Sequence, residues 1–132
     1  MKGNVSLVVT SVLTMLLAMV HLADDYSRGF SKAAGGFSGT PVPLVLALWL
    51  FATLVWVDRR SGLVTILLMS LLCSGLPVLH MMGKSGITGG ATPKTAGALF
   101  FALTLLAVGT TAICSVMLAV RGLWQLRRGR PA

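Results

Sequence analysis

An all-α integral membrane protein, a bundle of four transmembrane helices, is the fold class this sequence predicts, and three observations predict it. Of 132 residues, 55% are hydrophobic and only 11% are charged, against about 25% charged in a soluble domain. The mean hydropathy is +0.88. The apolar residues gather into four runs of membrane-spanning length, separated by polar, glycine-rich or basic segments. Such a chain forms one membrane domain over residues 1–132.

The first run, 5–23, holds 19 residues. It exceeds the apolar stretch of about 7–15 residues in a cleaved signal peptide, and His21 is a poor residue three positions before a cut. The run is therefore read as a retained helix. A polar, glycine-rich outer loop follows over 24–40. The second run, 41–57, opens on Pro41 and Pro43, which suit the first turn of a helix, where a missing N–H costs little. Asp58-Arg59-Arg60-Ser61-Gly62 closes it. The third run is 63–82, then an outer loop, 83–95, with four glycines and a proline. The fourth run is 96–120, and a basic tail, 121–132, ends the chain. Runs of 17 to 25 residues span a hydrocarbon core as helices. Continuous apolarity rules out the alternation of a membrane barrel.

Orientation follows from the basic residues. Lys2, Arg59, Arg60, Arg121, Arg127, Arg128 and Arg130 lie on one side, and Arg28, Lys32, Lys84 and Lys94 on the other. Both termini are thus expected in the cytoplasm, with the glycine-rich loops outside. In a bacterium the membrane would be the inner (plasma) membrane. The two halves show a faint parallel likeness: Val20-His21-Leu22, Gly35-Gly36 and Thr40-Pro41 against Leu79-His80-Met81, Gly89-Gly90 and Thr92-Pro93.

Several function classes are excluded. The net charge of +8 sits at the ends of apolar runs and forms no patch with interleaved aromatics, so nucleic acid is not the partner. A basic excess at membrane borders matches anionic lipid headgroups. Cys73 and Cys114 lie inside apolar runs without a CxxC motif, so neither a disulfide framework nor a thiol zinc site is signalled. No phosphate loop, Ser/His/Asp triad or dinucleotide fingerprint occurs. No ionisable residue sits at a run's midpoint, which argues against an antiporter with a central charged site. The reading favours a role without catalysis.

What remains is one constellation at the outer face. If the first helix continues past its apolar run, His21, Asp24, Asp25 and Arg28 share a face, and Ser11, Thr14 and Ala18 extend that face inward. Such a small, polar stripe belongs against other helices or a wet cavity, not lipid. On the third helix Cys73, Pro77, His80 and Lys84 share a stripe. His21 and His80 then lie at matched depth on helices running the same way. His21, Asp24, Asp25 and His80 form a borderline nitrogen and oxygen set suited to a transition metal. The histidines alone would suit the axial positions of haem b, with Arg28 or Lys84 near the propionates. The group could also bind a cation or relay protons.

The expected function is a binding or transport component with an outward-facing ligand, metal or cation site at His21, Asp24, Asp25, Arg28, His80 and Lys84. A non-catalytic accessory subunit of a larger membrane complex is the second reading, and a haem- or metal-dependent redox protein the third. The partners expected are the lipid bilayer and either further copies of the chain or other membrane subunits. Trp49, Trp56 and Trp124 read as interface or packing aromatics. Thr104, Gly109, Thr110, Thr111 and Ser115 read as sites of close helix approach.

Overall fold

The computed structural model describes residues 4–27, 41–82 and 96–129. They form four helices: α1 (Val5–Ser27), α2 (Pro41–Val55), α3 (Arg60–Met82) and α4 (Ala96–Arg127). Three stretches, Val5–Asp24, Arg60–His80 and Leu99–Arg127, are long and apolar enough to cross a membrane. The helices outrun their apolar runs where polar residues still favour helix. α1 carries Asp24 to Ser27, and α4 continues seven residues into the basic tail. α4 stops at Gly129, which adopts φ +68°, the left-handed conformation that terminates many helices.

α2 is the exception. Its 15 residues make a rod of about 22 Å, short of the roughly 30 Å hydrocarbon thickness. The run expected to continue to Val57 breaks at a turn, where Trp56 O accepts from Arg59 N at 2.9 Å. That turn is tight enough to require glycine at position 62. A Cβ there would lie 1.9 Å from Trp56 O.

α1 and α3 run in one direction, α2 and α4 in the other. At one end Asn4 Nδ2 donates to Asp58 Oδ1 at 2.8 Å, tying the start of α1 to the α2–α3 turn. At the other end His21 of α1 meets His80 of α3. α4 packs along both α1 and α3. α2 lies against α3 and α1 and does not meet α4 among the described residues.

The bundle has an apolar core around Leu7, Met15, Trp49, Leu63 and Ile66, but it also buries many polar side chains and leaves large apolar ones exposed, unlike a soluble protein. Ser11, Thr14, His21, Thr53, Ser70, Thr104 and Ser115 are buried, while Leu13, Leu16, Leu44, Leu72 and Leu99 are exposed. In lipid the hydrophobic effect does not join helices, so close packing and internal hydrogen bonds must. Both are visible. Thr53 Oγ1 donates to Trp49 O at 2.9 Å, so Ser11 Oγ donates its own proton to Thr53 Oγ1, also at 2.9 Å. Trp49 Nε1 donates to Ser11 Oγ at 2.8 Å, closing the ring of bonds between α1 and α2. Trp49 is therefore a buried, hydrogen-bonded core residue and not an interface anchor. Each such bond contributes about 0.6–1.7 kcal/mol in a bilayer.

The α3–α4 interface uses small residues. Gly122 lies against Leu63, and a Cβ on Gly109 would come within 2.6 Å of Pro77 Cγ. The helix runs on through Pro77, and Gly109 makes room for its ring. Between these contacts the hydroxyls of Ser70 and Ser115 are buried without a hydrogen-bond partner among the described residues, so their small size is what the packing uses.

The stripe on α1 faces inward along its length: Ser11 and Thr14 are 0% exposed, Ala18 3% and His21 1%. Thr14→Leu should cost about 1–3 kcal/mol by overpacking. Leu13→Ala, on an exposed position, should change thermal unfolding in detergent far less. The reverse order would contradict the packed stripe.

Candidate functional site

The ends of α1 and α3 and the start of α4 converge on two imidazoles. α1 buries His21 because the preceding stripe of small residues lets α3 and α4 approach closely. α3 brings His80 to the same depth. The ring centroids are 5.1 Å apart and the planes meet at 79°, an edge contact. Phe101 of α4 closes the cluster, 4.9 Å from the His21 ring and 5.7 Å from His80. His21 is sealed, whereas His80 is half-buried.

One hydrogen bond sets the tautomer of His80. His80 Nδ1 lies 3.0 Å from Leu76 O. A carbonyl only accepts, so His80 Nδ1 carries a proton and donates it. Thr104 Oγ1 lies 2.9 Å from Phe101 O and a long 3.4 Å from His21 Nδ1. In its neutral form His80 holds a proton on Nδ1 and a lone pair on Nε2. That is the form in which histidine ligates metals, with the second nitrogen anchored to a carbonyl or hydroxyl.

The other expected site residues are placed unevenly. Asp24 is half-buried one turn beyond His21, and its carbonyl accepts from Ser27 Oγ at 2.8 Å. The side chain of Asp25, and Arg28 and Lys84 altogether, lie outside the described residues. Among the described residues no three metal-ligating side chains converge. Phe101 and Thr104 went unrecognised as members of the site. Thr104 carried only the general mark of a small residue on a membrane helix, and nothing in the spacing of α4 ties either residue to a histidine.

Two imidazoles bound through Nε2 to one tetrahedral ion, with bonds of about 2.0–2.1 Å, have ring centroids roughly 5 Å apart, and an ordinary edge contact between rings has the same spacing. In comparisons with known proteins, no family model, curated protein or solved structure matches this chain.

Proposed function

We propose that this protein is a four-span membrane protein, both termini cytoplasmic, that binds a transition-metal cation at its outward-facing histidine pair as a binding or transport component. The observation that carries the reading is the His21–His80 contact at 5.1 Å. It joins two parallel helices, with His80 Nδ1 held on the Leu76 carbonyl. The donor set, two imidazoles with Asp24 one turn away, suits Zn²⁺ or Cu²⁺. A bundle this small has little interior, so translocation would need further copies of the chain or other membrane subunits.

Four spans are supported although α2 is short. Val42 lines a cleft with Leu22 and Leu76 near the histidine end, and the turn after α2 is bonded to Asn4 at the other. α2 with its turn thus covers the distance that α1 covers. The orientation rests on seven basic residues at the Asn4 end against four at the other; in a bacterium the membrane would be the inner one. With Cys73 and Cys114 replaced, single cysteines at positions 33 and 129 should label from opposite sides. Labelling of both from one side contradicts four spans.

For the site, chelator-treated protein in mild detergent should take up one Zn²⁺ per chain, or one Co²⁺ with a tetrahedral visible spectrum. His21→Ala and His80→Ala should each weaken it by about 100-fold or more. Absence of uptake by the wild type, or full uptake by either variant, overturns the proposal.

One observation favours the second reading, an accessory subunit. The cleft between α1, α2 and α3, about 330 Å³, is walled by apolar side chains such as Leu22, Val45 and Leu72, as a docking helix would require. A stoichiometric membrane partner retained through purification would favour it.

A further inference from the structure

The opposite end of the bundle carries a second concave feature. Where the start of α3 meets the end of α4, a groove of about 500 Å³ is lined by Arg60, Val64, Leu123, Trp124, Leu126 and Arg127. Its composition is divided. Val64, Leu123 and Leu126 are apolar, while Arg60 and Arg127 bring two guanidiniums. Trp124 forms part of the wall, and the Arg128 guanidinium stacks over its ring at 3.6 Å from the centroid, a cation–π contact that holds a third positive charge at the rim.

Asp24 and Asp25 lie at the other end of the bundle, so Asp58 is the one acidic residue at this end, and its Oδ1 accepts from Asn4. The positive charge is therefore not balanced from within the chain. The level in the membrane matters too. Tryptophan and arginine mark the headgroup layer, and the apolar residues belong to the acyl region below it. Guanidiniums match phosphate oxygens in pairs of parallel hydrogen bonds.

We propose that this groove is a binding site for an anionic glycerophospholipid, its phosphate held by Arg60 and Arg127 and its acyl chain laid along Val64 and Leu123. Basic pockets between membrane helices are suited to such headgroups. The inference needs only that the bundle sits in a membrane, and it stands or falls independently of the histidine pair.

The test uses the full chain in mild detergent. Native mass spectrometry counts bound phosphatidylglycerol against phosphatidylcholine of the same acyl chains. Brominated acyl chains report, by quenching, whether the lipid lies at Trp124, with Trp124→Phe as reference. Phosphatidylglycerol should be retained about tenfold over phosphatidylcholine and should quench Trp124. The double variant Arg60→Gln, Arg127→Gln should bring the ratio close to unity with helicity unchanged, both side chains being exposed. Arg60→Lys with Arg127→Lys should keep part of the preference, and Arg121→Gln, outside the groove, should keep all of it. Equal retention of the two lipids overturns the proposal. So does displacement of the lipid by millimolar inorganic phosphate, which would assign the site to a free anion. An equal loss in Arg121→Gln overturns it as well, since the effect would then belong to diffuse basic charge.

Discussion

Gly62→Ala should be the most damaging small substitution in this protein, lowering stability by about 3 kcal/mol or more. The added methyl would sit 1.9 Å from Trp56 O and 2.4 Å from its carbonyl carbon. Those are backbone atoms, so no rotamer change relieves the clash. Relief requires opening the turn in which Trp56 O accepts from Arg59 N, and that movement displaces Asp58 from Asn4. The link between α1 and the α2–α3 turn would be lost along with the turn. Gly75→Ala is the control within the same helix. Nothing lies within 4 Å of a Cβ there, and alanine gains about 0.5–1 kcal/mol over glycine in a helix interior. Thermal unfolding in detergent should therefore place the two variants on opposite sides of the wild type, with Gly62→Ala lower by about 10 °C. Indistinguishable midpoints would show that the turn is not built as described.

The second large effect concerns the histidines. His21→Ala or His80→Ala should each weaken metal binding by about 100-fold or more, since loss of an outer-shell partner alone costs about 10–100-fold. The double variant should be little worse than either single, because two ligands of one ion act as a unit and are strongly non-additive. Thr104→Val tests the anchoring of His21. It removes the hydroxyl beside Nδ1 while keeping the volume, and should cost about 10–100-fold in affinity. Thr104→Ser should restore it. Isothermal titration of the apoprotein with Zn²⁺ measures the whole set. Additive losses from the two histidines would mean that each acts alone.

Much of this arrangement was legible in the sequence, for a reason particular to membranes. A helix face of Ser11, Thr14, Ala18 and His21 is disfavoured against lipid, so its pattern alone assigns it to the interior. The pairing of His21 with His80 was legible from depth, since two helices that start at one border and carry histidine near the other bring the rings level. What periodicity does not encode is which side chains meet across helices. The bond from Trp49 to Ser11, the seat of Pro77 on Gly109 and the closure of the histidine cluster by Phe101 and Thr104 all depend on helix rotation. Rotation is fixed by packing of the whole bundle. The early end of α2 was hidden for a related reason. Val57 is as apolar as the residues before it, yet the helix ends at Val55 and the chain turns over Trp56 to Arg59.

We propose that His21 and His80 ligate one ion together, and X-ray absorption at the zinc edge, on protein loaded with one equivalent, distinguishes this from separate action. Two imidazole nitrogens at about 2.0–2.1 Å are expected, seen through the outer-ring scattering that imidazole produces, with loss of that scattering in the double variant His21→Ala, His80→Ala. A first shell of oxygen without imidazole scattering, or a spectrum unchanged by the double variant, would contradict it.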